Sequence, residues 1–272
     1  MKKILVVCSL LLLSFCAGAT EKLYFGVNTG VPSFDDQNDL SEKYKPLADY
    51  LGAALKRPVR LEVSQSLSAS GRKLKKDAFD VFLGPPQVIA QAQKSAGYIP
   101  VARYPGKIKA AFVAMAGSGI KRLSDTRGKR LGLPDRESLA THLAFAKLRY
   151  SRIAPESYFS EILHQRYQDA VLNALKIGRV DVAVVTAGYA KKWVSENPGA
   201  QIIEETYEVP HFAVAVVEDM DDADRARIRR ALLDTSHNAA GREMMDRLGI
   251  KGDFIATSQD EYAPLIRLFN IQ

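Results

Sequence analysis

The chain has 272 residues, 47% of them hydrophobic, and a formal net charge of +7. That length suits one large domain or two small ones, and a core of that size needs no disulfide. Its cysteines are Cys8 and Cys16, which excludes disulfide scaffolds, cysteine catalysis and thiolate metal sites from the rest of the chain. The modest positive charge favours anionic small molecules as ligands.

The N-terminus has the composition of a secretory signal peptide over residues 1–19. Two lysines precede an apolar run from Ile4 to Leu13, and Ala17-Gly18-Ala19 forms a small-residue cleavage motif. The run is about half as long as a membrane-spanning helix requires. We predict cleavage after Ala19 and a periplasmic location. The alternative is a lipoprotein signal with Cys16 lipidated, against which the bulky Phe15 argues.

The chain after the signal alternates between strand and helix patterns. The short apolar run Leu23–Val27 is typical of a buried strand, and apolar residues at helical spacing from Leu40 to Leu55 predict an amphipathic helix. Further strands are predicted at Pro58–Val63, Phe79–Leu83 and Tyr98–Arg103, with a short basic helix and a helix over Gln87–Ser95 between them. This alternation predicts a largely parallel sheet with helices on its faces.

A second block repeats the same order. Its predicted strands are Lys109–Ala116, a segment ending at Leu133, and Val180–Val185; its predicted helices are Ser138–Tyr150, Gln165–Ile177 and Gly188–Ser195. One more strand follows at Phe212–Val217, and helices at Asp224–Leu233, Ala240–Leu248 and Asp260–Phe269 close the chain. Two such blocks predict two lobes separated by a cleft, and ligands bind in such clefts at the carboxyl ends of strands.

Several segments, taken in order, carry a family resemblance. They are Phe25-Gly26-Val27, Tyr44–Leu51, Asp80–Pro85, Leu123–Leu133, and Leu248-Gly249-Ile250 followed by Phe254 and Tyr262. The set resembles the type II periplasmic substrate-binding proteins, most closely their PhnD-like branch, which binds phosphate, phosphite and phosphonates. The resemblance implies an α/β fold of two lobes, each a mostly parallel sheet flanked by helices, with a hinge of two strands. By analogy the first lobe comprises residues 20–107 and 213–272, and the second comprises residues 108–212.

The resemblance also implies a function. It predicts the solute-binding component of an ABC importer, which is no enzyme and whose lobes close on a small anionic solute. The alternative is a ligand-sensing protein that partners a membrane sensor kinase. We therefore expect a permease or a kinase as partner, and a monomer. A hydrolase is a third hypothesis, but the sequence offers no combination of nucleophile and base to support it.

Other partners and cofactors are not expected. The densest basic cluster, Arg72 to Lys76, lacks the interleaved aromatic residues of a nucleic-acid site. The four histidines show no metal-ligand spacing, and no phosphate-binding glycine-rich loop occurs. We therefore expect no cofactor, no metal and no nucleic acid.

The resembled family grips oxyanions with an Asp-Pro-x-Ser-Thr-Ser-Gly motif at a helix start, where hydroxyls and unpaired amides meet the ligand. The segment Asp135–Leu143 aligns with that motif. Ser138 matches the first hydroxyl, whereas Leu139-Ala140-Thr141 replaces the remaining residues and Arg136 stands at the proline position. The alternative role for Ser138 is a plain helix N-cap. The altered motif therefore leaves open the possibility that the ligand is not a phosphonate.

Other candidate residues follow strands or open helices. Gln168 aligns where the family carries a histidine, and His164 could substitute for it only if the helix began earlier. Thr186 follows a second-lobe strand, and a lone histidine such as His211, on the hinge segment, is more often structural. The predicted ligand-binding set is Asn28, Thr29, Gly84, Pro85, Gln87, Arg136, Ser138, Thr141, His142, Gln168 and Thr186.

Overall fold

The computed structural model of the protein describes residues 21–30 and 37–271. The predicted signal peptide, its cleavage site and both cysteines lie outside this part of the chain. No helix within it combines the length and the apolar character that a bilayer crossing would require.

The described elements alternate as the sequence predicts. In chain order the strands are β1 (Leu23–Asn28), β2 (Val59–Ser64), β3 (Val81–Gly84), β4 (Ile99–Arg103), β5 (Lys107–Ile108), β6 (Ala110–Met115), β7 (Arg130–Leu133), β8 (Glu161–His164), β9 (Val182–Thr186), β10 (Ala200–Glu205), β11 (Val209–Pro210), β12 (Ala213–Val216) and β13 (Ile255–Ala256). The helices are α1 (Gln37–Leu55), α2 (Leu67–Leu74), α3 (Pro86–Ala96), α4 (Leu139–Tyr150), α5 (Pro155–Tyr158), α6 (Gln168–Lys176), α7 (Ala187–Glu196), α8 (Asp222–Leu233), α9 (Ala239–Leu248) and α10 (Gln259–Leu268).

The first sheet has the order β13-β4-β12-β3-β1-β2. β1 pairs in parallel with β2 and β3, and the helices α1 and α2 connect these strands. β12 lies antiparallel between β3 and β4, so a strand from late in the chain occupies the interior of this sheet. The prediction of a mostly parallel sheet is confirmed, because β1 to β4 all run in one direction.

The second sheet has the order β10-β6-β9-β7-β8. β7 pairs in parallel with β8 and β9, while β6 runs antiparallel to β9 and β10. Between the two sheets the chain crosses twice, and β5 and β11 pair there as an antiparallel ribbon. This ribbon is the predicted two-stranded hinge. The lobe boundaries near residues 107 and 213 stay a prediction.

Two strands of the second sheet are absent from the sequence prediction. Residues Glu161–His164 pair with β7, so the helix predicted from Gln165 begins at Gln168 instead. Residues Ala200–Glu205 pair with β6 at the opposite edge. Both are short edge strands, and neither is fully buried on either face, so they lack the continuous apolar run of an interior strand.

Apolar side chains join the two lobes on one side. One buried cluster contains Phe82 and Ile89 of the first lobe, Leu131 and Leu143 of the second, and Tyr262 of α10. Each of these side chains is less than 2% exposed or fully buried. Burial of this kind contributes roughly 25 cal/mol for each Å² of apolar surface removed from water. The lobes are therefore packed together beside α3, α4 and α10.

Candidate functional site

The start of α4, where the oxyanion motif aligns, is closed by its own hydrogen bonds. Ser138 Oγ accepts a hydrogen bond from the Thr141 amide at 3.3 Å, which makes Ser138 the N-cap of α4. The Ser138 hydroxyl donates to Thr141 Oγ1 at 3.1 Å, and the Thr141 hydroxyl donates to the Pro134 carbonyl at 3.3 Å. Both side chains are buried. The N-cap role is thus present, and a ligand role for Ser138 and Thr141 stays a prediction.

The start of α3 faces the start of α4 across the lobe boundary. Gln87 is 4% exposed, and its Nε2 donates to the Glu137 carbonyl at 3.1 Å. Its Oε1 is buried without a hydrogen-bond partner in the described part of the chain. Gly84 and Pro85 precede this helix, and Pro85 is its N-cap residue. Gln87 therefore lies at an interlobe contact, and a ligand role for Gly84, Pro85 and Gln87 stays a prediction.

Asn28 has a structural position. It is fully buried, its Nδ2 donates to the Ser66 carbonyl at 3.1 Å and to Ser70 Oγ at 2.9 Å, and its Oδ1 accepts from the Gly30 amide at 2.8 Å. These bonds fix the turn after β1 against the start of α2. Thr29, the next residue, lines a cavity. Of this predicted pair, Thr29 is the one that lines a described cavity.

Gln168 and Thr186 lie together in the second lobe. Gln168 Oε1 accepts hydrogen bonds from the Thr186 amide at 2.7 Å and from the Thr186 hydroxyl at 3.0 Å. This pair joins the start of α6 to the end of β9, because the carboxyl ends of parallel strands meet at one edge. Thr186 also lines a cavity.

Of the predicted residues, Gln87 and His142 line one further cavity of about 340 Å³ together with Glu137 and Phe269. Arg136 is exposed on the loop before α4. His142 packs its ring against Phe269 at 5.3 Å between centroids, and burial, assisted by Arg149, lowers its pKa to about 4. His164 ends β8, where its Nδ1 donates to the Pro134 carbonyl at 2.8 Å. A carbonyl can only accept, so Nδ1 carries the proton. His164 therefore lies beside the start of α4, and the element that carries it is strand β8, not a helix.

Two cavities flank the hinge ribbon. The first-lobe cavity has a volume of about 460 Å³ and is lined by Thr29, Lys43, Tyr44, Tyr104, Pro105, His211, Phe212, Leu248, Gly249, Ile250 and Lys251. The second-lobe cavity has a volume of about 410 Å³ and is lined by Lys107, Ile108, Lys109, Thr186, Ala187, Gly188, Lys191 and His211. His211 belongs to both linings, so the cavities adjoin at this residue.

The first-lobe cavity presents hydrogen-bond donors. Lys43 and Lys251 supply ammonium groups, and no aspartate or glutamate is among its described lining residues. Burial raises the pKa of Tyr44, and burial together with Tyr44 raises that of Tyr104, so both phenols keep a proton that they can donate. A cavity with two cations, two phenols and no carboxylate suits an anion.

His211 adds a neutral donor between the cavities. Burial, assisted by Arg103, lowers its pKa to about 4, so the ring is uncharged at neutral pH. The Phe212 amide donates to its Nδ1 at 2.8 Å. A neutral imidazole whose Nδ1 accepts carries its proton on Nε2. Its ring also lies 5.5 Å from that of Tyr104, which holds it in place.

The second-lobe cavity also has a positive excess. Lys109 pairs with Glu205 at 2.5 Å and lies 3.9 Å from Glu208, and Lys191 pairs with Glu205 at 3.3 Å. Lys107 belongs to none of the ion pairs found among residues 21–30 and 37–271. Three ammonium groups thus share two carboxylates. The N-terminus of α7 opens into the same cavity and adds a partial positive charge.

The lysines of these cavities were not predicted from the sequence. Lys107-Ile108-Lys109 alternates in the manner of a strand, which places both lysines on one face of an extended segment and could have marked them. No such sequence pattern surrounds Lys43, Lys191 or Lys251. His211, expected to be structural, does support the hinge, and it also lines both cavities. Within the described residues no group of His, Cys, Asp and Glu could hold a metal ion.

Two α/β lobes joined by two crossings, with cavities at the hinge, are the architecture of a type II periplasmic binding protein. A family model described as "ABC transporter, phosphonate, periplasmic substrate-binding protein" matches residues 29–262. The chain belongs to this family of periplasmic substrate-binding proteins. Such proteins bind a solute without transforming it and deliver it to a membrane permease, so the expectation of a non-enzymatic binder is confirmed. Cleavage after Ala19 and a monomeric state stay predictions.

Individual relatives agree with this assignment. The ABC transporter arginine-binding protein 1 of Escherichia coli (strain K12) is 24% identical over 215 residues, which cover 78% of this chain and 82% of that protein. PhnD1 from Prochlorococcus marinus (MIT 9301), solved with methylphosphonate, matches with a TM-score of 0.74 at 14% identity, over 92% of this chain and 97% of that one. A Xanthomonas citri protein solved with ATP matches with a TM-score of 0.77 at 18% identity, over 92% and 96%. The two structures establish likeness of fold. These relatives give no support to the sensor-kinase alternative.

Proposed function

We propose that this protein binds a small anionic solute, a phosphonate-like or phosphate-like oxyanion or a related organic anion, between its lobes and passes it to an ABC permease. The observation that carries the proposal is the positive charge of the first-lobe cavity, whose described lining has two lysines and no aspartate or glutamate. Lys43, Lys251, Tyr44, Tyr104 and the Nε2 proton of His211 all offer hydrogens, and the described lining has no carboxylate. A buried or half-buried anion needs such donors to replace its water shell.

The relatives leave two ligand classes to compare. Methylphosphonate and ATP, named for two solved relatives, are anions. Arginine, named for the Escherichia coli relative, carries a guanidinium group. A guanidinium needs a carboxylate or carbonyl acceptors, whereas the described first-lobe lining supplies ammonium groups. The charge of the cavity therefore favours the anion.

The predicted ligand residues take different places in this proposal. Thr29 and Thr186 would contact the solute, since each lines one of the cavities. Asn28 and Gln168 would position those two residues through the hydrogen bonds described above. Ser138 and Thr141, whose hydroxyls are bonded to each other, would contact a solute only if the lobe contact at Gln87 opens. Hinge motions of this kind are common in two-lobed binders.

Isothermal titration calorimetry with the unliganded protein would test the proposal. The panel is methylphosphonate, phosphate, phosphite, a sulfonate and arginine. We expect at least one anion to bind, and the double variant Lys43→Ala/Lys251→Ala to weaken it by roughly 10- to 150-fold for each charged contact that is lost. Lys121→Ala, at an exposed position away from both cavities, is the matched control. Binding of arginine with no anion bound at millimolar concentration would overturn the proposal.

A further inference from the structure

Positive charge lies on both sides of His211. On the first-lobe side are Lys43 and Lys251, and on the second-lobe side are Lys107 and Lys191 with the start of α7. His211 belongs to both linings, so the two groups of lysines lie on either side of this residue. All four of these lysines are exposed and can reorient towards a ligand.

A single compact anion can neutralise the lysines of only one of the two cavities. Seated in the first-lobe cavity, a methylphosphonate-sized molecule leaves the excess charge of the second-lobe cavity uncompensated. There Glu205 is shared by Lys109 and Lys191, and Lys107 has no carboxylate partner among the described ion pairs. The combined space is also large for one such group, because the two volumes of about 460 and 410 Å³ each fall in the range of sites for drug-sized ligands.

We infer that the solute carries two separated acidic groups, one held by Lys43 and Lys251 and the other by Lys107 and Lys191, with the linking chain beside His211. This inference rests on the proposed function and narrows its ligand class to organic anions with two separated acidic groups, such as a phosphonate that also bears a carboxylate. A molecule of this kind contacts both lobes through charge. It therefore stabilises the closed arrangement of the lobes more than a ligand with a single acidic group does.

A matched ligand pair tests the inference. Propylphosphonate carries one acidic group, and 3-phosphonopropionate has a similar chain with a carboxylate at its far end. By calorimetry on the unliganded wild-type protein we expect 3-phosphonopropionate to bind at least tenfold more tightly. In Lys107→Ala/Lys191→Ala the advantage should disappear while the affinity for propylphosphonate stays within about twofold. In Lys43→Ala/Lys251→Ala both ligands should weaken. Lys121→Ala should change neither.

The outcomes separate this inference from the proposed function. Equal affinity of the two ligands for the wild-type protein, or an equal loss of both in Lys107→Ala/Lys191→Ala, would show that no second acidic group is recognised and would leave the anion proposal standing. Failure of both ligands and of every other anion to bind would refute the proposed function, and this inference with it. Because the four substituted lysines are exposed, urea unfolding should show that all variants fold as the wild type does.

Discussion

Arg103 and Glu261 form a two-point ion pair: Arg103 Nε donates to Glu261 Oε2 and Nη2 contacts Oε1, both at 2.9 Å. The same guanidinium donates through Nη1 to the carbonyls of Tyr104 at 3.1 Å and Gly106 at 2.8 Å, on the first crossing between lobes. The next residue of α10, Tyr262, donates its hydroxyl to the His211 carbonyl at 2.5 Å, on the second crossing. Adjacent residues of one helix therefore hold both crossings between the lobes, beside the strands of the hinge.

Glu261→Gln should destabilise the protein by about 3 kcal/mol, because it leaves the guanidinium of Arg103, whose side chain is 10% exposed, without its counter-charge. Urea unfolding at neutral pH measures the change. Lys45→Ala is the control, since it breaks a pair with Asp49 whose side chains are 66% and 63% exposed, and should cost less than about 1 kcal/mol. Equal losses in the two variants would refute the anchoring role of Glu261.

Tyr262→Phe should cost about 1 to 2 kcal/mol, because the carbonyl of His211 loses its donor while the apolar packing of the ring is kept. The same variant should weaken solute binding, since His211 lines both cavities. Unfolding and calorimetry report the two effects. Tyr150→Phe, at a position 78% exposed, is the matched control and should change neither. Unaltered binding in a destabilised Tyr262→Phe would separate the hinge anchor from the site.

Gly241→Ala should be strongly destabilising, by about 2 kcal/mol or more. A β-carbon at Gly241 would lie 2.3 Å from the carbonyl oxygen and 2.7 Å from the α-carbon of Thr235, which are backbone atoms that cannot rotate away. The start of α9 would have to move. Gly117→Ala is the control, since a β-carbon there meets nothing within 4 Å. Thermal unfolding of both variants should show a loss in the first alone, and a stable Gly241→Ala would show that this turn adapts.

Stability should fall as the pH drops from about 7 to 5. Burial lowers the pKa of His142 and His211 to about 4, with Arg149 and Arg103 respectively adding to the shift, whereas an unfolded chain has histidines near 6.5. Between these values the unfolded state binds protons that the native state does not, so the free energy of unfolding decreases with falling pH. By pH 5 the loss should reach about 2 kcal/mol for each histidine.

The contribution of His142 can be isolated. His142→Leu keeps an apolar contact with Phe269 and removes the titrating group, so its loss of stability between pH 7 and pH 5 should be smaller than that of the wild type. His237→Gln is the control, because the His237 side chain is 77% exposed. Urea unfolding at the two pH values gives the comparison. An identical pH dependence in His142→Leu and the wild type would contradict the shifted pKa.

Much of the fold could be predicted because its interior segments have a clear period. The apolar stripe of α1, from Leu40 to Leu55, is buried as its spacing indicates, and the uninterrupted apolar run of β9 lies inside the second sheet. β8 and β10 escaped prediction because edge strands need only partial burial. Their place is decided by pairing with β7 and β6, which the local sequence does not record.

The site was less predictable than the fold. Strand ends indicated Thr29 and Thr186, and a shared sheet edge explains why Gln168 meets Thr186. The resemblance drew attention to Ser138, whose hydroxyl is bonded within its own helix start. The lysines escaped because Lys43 and Lys251 are brought together by the packing of α1 beside the end of α9, across more than two hundred residues of sequence. The spacing of residues along the chain does not predict such a contact.

The position of β12 has a consequence for how the polypeptide acquires its structure. The second sheet is assembled from the contiguous stretch 110–205, so all its strands have left the ribosome before residues 213–216 do. The first sheet must keep a place between β3 and β4 for that late strand, and two open strand edges wait there until it arrives. The second lobe can thus complete its sheet while the sheet of the first lobe, which is synthesised earlier, still lacks β12. A fragment that stops short of residue 213 would contain one finished lobe and one aggregation-prone sheet.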